Sequence, residues 1–372
     1  MVPALYSSRL AFPISVLAIT LGLASCNTQP PSSTPQGGAS SQTGGTSAAQ
    51  PGAGGTVSLS GAGASFPDPL YQTWFSTYNK DNPNVQISYQ SVGSGAGIKQ
   101  FLAKTVDFGA TDAPLKAEEI SSYPSDRGKP IQVPMTGGPV VFSYNLQGVD
   151  NLKLSREAYC GIADGTIKSW NDPKITKDNS AANLPNTPIS FVHRSDGSGT
   201  TSIFTNHLKA ACPNWKAGAG KSIQWPVGTG AKGNEGVAAA VQQTQGAIGY
   251  NEYSYAKENK IQFATLQNKT GQFVTPSPES AAKAFEEVPV PENLVVSVPD
   301  PQGADAYPIV GLTYLLLYGQ YDDPAKADAL KNMVKWALTN GDQYAEQLGY
   351  IPLPDELQTK VLTTVDTVTA QK

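Results

Sequence analysis

Five residues in the run VHRSDGSGTTSIF have the types and spacing of an anion site: Arg194, Asp196, Ser198, Gly199 and Thr200. Gly197 and Gly199 let the backbone turn tightly, so consecutive N–H groups can point at one spot. The apolar helical pattern that follows Ser198 places the positive end of a helix dipole there. Arg194 supplies a planar fork that matches a tetrahedral oxyanion with two parallel hydrogen bonds. Asp196, two residues on, is placed to hold that fork in orientation. An oxyanion ligand is the chemistry these residues serve.

Two further loops repeat part of the design. Ser65-Phe66 and Ser94-Gly95 each present a hydroxyl at the predicted start of a helix just after a strand. Serine is a common helix cap in its own right, contributing about 1 kcal/mol. Three such loops together with an arginine favour a ligand site at the carboxyl ends of strands.

Asp112 ends a predicted strand ahead of Ala113-Pro114. Alone it reads as a turn residue. In an anion site a carboxylate repels the ligand unless the ligand carries a proton to donate. Protonated phosphate, or arsenate, can do so; fully ionised sulfate cannot. Leaving buried polar groups unpaired discriminates on the order of 10⁴–10⁵-fold, so the pairing selects phosphate.

The elements that must position these residues are legible from periodicity. Val57–Ser60 reads as a strand. Leu70, Tyr71, Trp74, Phe75 and Tyr78 lie at helical spacing, with Asn82-Pro83 as the stop. Val85, Ile87 and Tyr89 alternate as a strand; Ile98, Phe101 and Leu102 share a helix face; Val106–Ala110 is a strand. Gly137-Gly138-Pro139 marks a crossing before the strand Val140–Tyr144. Further expectations are a helix near 155–163, a strand Ile189–Val192, helices at 198–210 and 236–244, a strand Ala247–Tyr250, a long strand Tyr307–Tyr318 and a helix Ala325–Leu338. Strand, glycine–serine turn and helix recur, so the expected class is α/β with mostly parallel sheets.

The 372 residues carry a net charge of −4, and only 15% of them are charged. There is no clustered basic face of the kind nucleic acid requires. His193 and His207 are the only histidines, too few for a histidine-rich metal site, and no cofactor motif is present. Residues 1–25 read as a targeting segment: Arg9, then an apolar run Leu10–Leu23 that is short for a membrane span. Leu23-Ala24-Ser25-Cys26 resembles the bacterial lipobox, which implies cleavage before Cys26 and lipid on its sulfur. The other reading is an ordinary secretory signal with an incidental cysteine. Residues 26–56 are expected to be a disordered tether; about 30 such residues reach roughly 30 Å. Cys160 and Cys212 form an even pair in an exported chain, which suggests a disulfide; the alternative is two buried free thiols.

The motifs GAGASFP, SVGSGAGIKQF, VDFGATDAPL, SWNDPKI, HRSDGSGTTSIFT, GAKGNEGVAAAVQ, GAIGYNEYSYA and LGYIPLP occur in this order across residues 57–372. Together they resemble the phosphate-binding proteins of bacterial ABC phosphate transporters. The resemblance implies a two-lobe periplasmic-binding-protein-like (type II) fold with a hinge between lobes. Lobe I is expected at 57–137 and 251–372, and lobe II at 138–250. It implies phosphate binding by Ser65, Phe66 (through its N–H), Ser94, Asp112, Arg194, Ser198, Gly199 and Thr200, with Asp196 orienting Arg194. It also implies delivery to ABC permease membrane subunits; taken with the lipobox, the expected state is a monomer, exported and lipid-anchored to a bacterial membrane, facing the periplasm or exterior. Ser65 stands where a threonine is common. His193 stands where a second basic residue is often found, and is given no ligand role. Cys160 and Cys212 are not part of the family's site pattern. Two other functions are carried: a tethered phosphate sensor or scavenger without transport, and a phosphatase. The latter lacks a G-x-S-x-G elbow or a persuasive Ser–His–Asp order.

Overall fold

Alternating apolar and polar residues make strands, and a parallel pair of strands requires a crossover helix. The computed structural model describes residues 55–286 and 288–371 and begins with such a unit. The expected signal, Cys26 and all but the last two residues of the expected tether lie outside the described residues. β1 (Val57–Gly63) and β2 (Val85–Ser91) run parallel, and α1 (Asp68–Asp81) joins them. Pro69 in the first turn suits a helix start, and Lys80 in the last turn complements the dipole. The periodic residues Leu70, Tyr71, Trp74, Phe75 and Tyr78 are all buried. Next, α2 (Ser94–Leu102) leads to β3 (Phe108–Thr111), parallel to β1 on its other side. The Ser65 loop, the Ser94 loop and Asp112 thus leave the same end of three adjacent strands.

β4 (Ile131–Tyr144) is longer than the expected Val140–Tyr144 and passes straight through the glycine–proline crossing. Proline in a central strand removes a ladder donor. Pro139 sits where β4 changes neighbours, so the loss falls at a handover. Up to Pro139 it pairs with the late strand, and from Val140 onward with a strand of the second half. On the other edge, Gly137 exchanges backbone hydrogen bonds with Ile351 at 3.0 and 2.8 Å.

The second half repeats the pattern. α3 (Arg156–Asp164), β5 (Ser190–Arg194), α4 (Gly199–Ala211), β6 (Thr229–Ala231), α5 (Gly233–Gln243) and β7 (Ala247–Glu252) follow in turn. β8 (Gln262–Phe263) pairs with the end of β4, and Thr265–Gln267 with Lys153–Leu154. Residues 251–267 therefore pair with strands of the 138–250 stretch. The chain crosses back at β9 (Val310–Leu317), and α6 (Pro324–Asn340) covers the first half. The sheet order is β2-β1-β3-β9-β4-β7-β5-β6, with β8 beside β4. Both wings are parallel; the crossing strands β4 and β9 are antiparallel to their neighbours.

Cys160 on α3 and Cys212 at the end of α4 are bonded, with Cα atoms 5.6 Å apart. The bond spans 52 residues, and closing a loop of that length stabilises by about 4 kcal/mol in the chain-entropy picture. It lies at the C-terminal end of α4, about 20 Å from the anion loop at the other end. Reduction should therefore lower the melting temperature and leave anion affinity within twofold or so. A matched loss of affinity on reduction would contradict this separation.

Candidate functional site

The first element of the site is the turn after β5. Arg194 ends that strand, and its backbone N–H donates to the Tyr250 hydroxyl at 3.1 Å. Its guanidinium is bidentate on Asp196: Nε to Oδ1 at 2.8 Å and Nη2 to Oδ2 at 2.6 Å. Nη1 donates to Thr200 Oγ1 at 3.4 Å. Three of the five N–H vectors are thus committed, and two remain for a ligand. Burial raises the Asp196 pKa, but the Arg194 hydrogen bonds and charge, with the Gly233 N–H at 3.1 Å, hold its carboxyl below the usual range. The pair stays ionised, and Arg194 is only 3% exposed.

Ser198 caps α4, its Oγ accepting from Thr201 N–H at 3.0 Å. Its own proton stays available. Gly199 N–H donates to Ser94 Oγ at 3.1 Å. The Thr200 N–H, in the first turn of the helix where no intrahelical acceptor exists, has no partner among the described residues. Gly199 is required by close approach: a Cβ there would lie 2.5 Å from both Asp112 Oδ2 and Ser94 Oγ.

The first half supplies the opposing wall. Ser94 Oγ also accepts from Asp112 N–H at 3.2 Å. Phe66 is buried and its N–H has no partner among the described residues. Its carbonyl accepts from Tyr350 Oη at 2.7 Å. The two halves meet directly: Gly95 N–H donates to Gly197 O at 2.7 Å, and Lys221 pairs with Glu119 at 2.8 Å.

Asp112 is 4% exposed. Oδ1 accepts from Thr313 Oγ1 at 2.8 Å, whereas Oδ2 is buried without a partner. Burial pushes its pKa up to about 7, against the opposing pull of Thr313, Arg194 and Ser94. Such an oxygen is an acceptor waiting for a donor. Glu252, at the end of β7, resembles it. Oε2 accepts from the Ser254 N–H at 2.9 Å, Oε1 has no partner, and burial pushes the pKa up to about 8.

These shifts carry a stability signature. Both carboxyls bind protons in the folded chain at a higher pH than in the unfolded chain. Stability of protein stripped of bound anion therefore rises as pH falls from about 8 to 6.5. Below that, His207 works the other way, since burial lowers its pKa to about 4. The expected gain is a few degrees in melting temperature. A flat profile over this window would mean that the two carboxyls are not desolvated as described.

All eight expected ligand residues and Asp196 converge on this one region. His193 is not among them: its ring stacks on Trp225 with centroids 4.9 Å apart, and Nδ1 lies 3.0 Å from the Arg194 carbonyl. His207 is held by Pro299 O and Tyr159 Oη at 2.8 and 3.2 Å. Neither histidine contacts Ser94 or Ser198 among the described residues. Sequence reasoning missed Asn234, Thr313 and Tyr250. Asn234 follows the strand and Gly233 at a fourth helix start, a position equivalent to the three serine loops but bearing an amide. Thr313 was visible as the lone aliphatic hydroxyl in the apolar run VGLTYLLL.

Comparison with known proteins gives a consistent set. A family model described as a PBP superfamily domain matches residues 37–340. The "Phosphate-binding protein PstS" of Pasteurella multocida (strain Pm70) is 44% identical over 309 residues, covering 82% of this chain and 88% of that protein. The protein of the same name from Methanocaldococcus jannaschii is 40% identical over 328 residues, covering 81% of this chain and 84% of the other. Among solved structures, a high affinity periplasmic phosphate-binding protein (PfluDING) bound with phosphate superposes with a TM-score of 0.71. It is 25% identical, with 85% of this chain and 100% of that one covered.

Proposed function

The chain belongs to the PBP superfamily and, within it, to the PstS phosphate-binding proteins, and we propose from this that it captures inorganic phosphate outside the cytoplasm and passes it to an ABC phosphate permease. The observation that carries the ligand assignment is the orphaned Asp112 Oδ2 set among anion donors. A fully deprotonated anion leaves that acceptor unpaired; a phosphate bearing one proton satisfies it, while Arg194 and the loop donors take the other oxygens. Arsenate meets the same test.

Binding works by closure of two lobes. The first comprises residues 57–137 and the chain from β9 onward, and the second the stretch between, a division supported by sheet pairing. Phosphate contacts Ser65, Phe66, Ser94 and Asp112 on one side and Arg194, Ser198, Gly199 and Thr200 on the other. It therefore binds the closed form better than the open one, which is the differential affinity that closure requires. Cleavage before Cys26 and lipidation of its sulfur keep the monomer tethered to a membrane, facing the periplasm or exterior. No described helix is long and apolar enough to cross a membrane.

A sensor or scavenger role uses the same site. Loss of phosphate uptake on deleting the gene, restored by the chain, would support transport; unchanged uptake would leave the sensor reading. A phosphatase role finds no support in the histidine environments. Small-angle scattering of the stripped chain should show compaction on adding phosphate. An unchanged radius would remove hinge closure from the mechanism.

A further inference from the structure

Asn234 is fully buried at the start of α5, and every polar atom of its side chain is engaged. Its Oδ1 accepts from the Glu252 backbone N–H at 3.0 Å. A backbone N–H can only donate, so the amide oxygen must face Glu252 and the NH₂ must face the other way. That NH₂ donates to Ser65 Oγ at 3.0 Å and to Thr200 Oγ1 at 3.1 Å. The Asn234 backbone N–H also donates to Ser65 Oγ, at 3.1 Å. One amide thus touches a hydroxyl from each half of the molecule.

The consequence lies in the lone pairs. A serine or threonine hydroxyl has two acceptor positions and one proton. Ser65 Oγ accepts twice from Asn234. Thr200 Oγ1 accepts once from Asn234 and once from Arg194 Nη1. Both oxygens are saturated as acceptors, and each has one thing left to give, its proton. We propose that Asn234 is a positioning residue that converts the hydroxyls of Ser65 and Thr200 into obligate donors aimed at the bound phosphate, and that for Ser65, which lies on the other half, it can do so only when the two halves are together. The inference rests on the phosphate-binding reading. It adds a residue that does not touch the ligand but fixes the polarity of two groups that do.

The charge of the ligand makes polarity matter. An anion offers mainly acceptors, so a hydroxyl free to rotate must spend orientational freedom to donate; one with filled lone pairs has already done so. Asp112 is the counterpart, the single acceptor placed for the single ligand proton.

Asn234→Asp tests this because it keeps shape and the acceptor for Glu252 but replaces the donor pair with an acceptor. Both hydroxyls then turn their protons inward. Inorganic phosphate is titrated calorimetrically into four forms of the full chain: wild type, Ser65→Ala, Asn234→Asp and the double variant. In the wild-type background Ser65→Ala should weaken binding by about 10-fold or more, as for a hydrogen bond to a charged group. In the Asn234→Asp background the same change should cost about twofold or less, because the hydroxyl no longer donates to phosphate. Equal losses in both backgrounds would overturn the proposal, since a merely structural asparagine gives additive effects. If wild type itself fails to bind phosphate, the ligand reading falls instead.

Neutron diffraction from the deuterated wild-type chain with phosphate provides a second arm that needs no variant and decides alone if Asn234→Asp does not fold or binds too weakly to titrate. The deuterons on Ser65 Oγ and Thr200 Oγ1 should point at phosphate oxygens. A deuteron from either hydroxyl directed at Asn234 would overturn the assignment.

Discussion

Arg194→Ala should weaken phosphate binding by about 3–5 kcal/mol, on the order of 10²- to 10⁴-fold, the cost of removing one member of a buried ion pair. Two losses combine. The ligand loses the two guanidinium N–H groups not engaged by Asp196 and Thr200. Asp196, its carboxylate largely enclosed at 13% exposure, is left without its partner and faces an incoming anion. The second loss is separable. Adding Asp196→Asn to Arg194→Ala removes the stranded charge and should recover part of the affinity, whereas Asp196→Asn alone should weaken binding by letting the fork swing. Arg194→Lys should rescue poorly, because a single ammonium cannot make the bidentate contact and still present two donors. Calorimetric titration reads all four. Affinity of Arg194→Ala within threefold or so of wild type would mean that the guanidinium is peripheral to the ligand.

Asp112→Asn should admit sulfate. Thr313 donates to Oδ1, so the asparagine oxygen keeps that place and its NH₂ takes the position of the orphaned Oδ2. A donor then stands where an acceptor stood. Discrimination against sulfate, on the order of 10⁴- to 10⁵-fold by the logic of unpaired buried groups, should fall by at least about 10²-fold. Phosphate affinity should change by about tenfold or less, since one charge-assisted bond is exchanged for a neutral one. The wild type offers an internal check. Because burial raises Asp112 to about 7, its protonated form becomes a donor in acid, and sulfate rejection should weaken as pH falls below that value. The Asn variant should show no such dependence. Unchanged sulfate rejection in Asp112→Asn would remove the role assigned to this carboxylate.

Most of the candidate site was legible because its parts are local. Arg194, Asp196, Ser198, Gly199 and Thr200 lie in one turn, and their roles follow from residue type and from the helix that starts there. Asp112 was legible only through its apparent misfit with an anion. Asn234 was harder: its importance comes from Glu252, Ser65 and Thr200, 18, 169 and 34 residues away in sequence, and an asparagine near a helix start reads first as a cap. Thr313 is likewise defined by a partner 201 residues distant. In the fold, helices such as α1 and α6 were readable from their apolar stripes. The extent of β4 was not. Gly137, Gly138 and Pro139 carry strong turn signals, and what overrides them is pairing with β9, with Ile351 and then with β7, none of it visible locally. The same nonlocal pairing keeps residues 251–267 with the second half.

A buried acceptor among anion donors selects a ligand able to donate. The most direct test is calorimetric titration of the stripped chain at pH 8 with phosphate and, separately, with sulfate. Tight one-to-one binding of phosphate and no response to sulfate is the expected result. Comparable binding of both, or of sulfate alone, would contradict it.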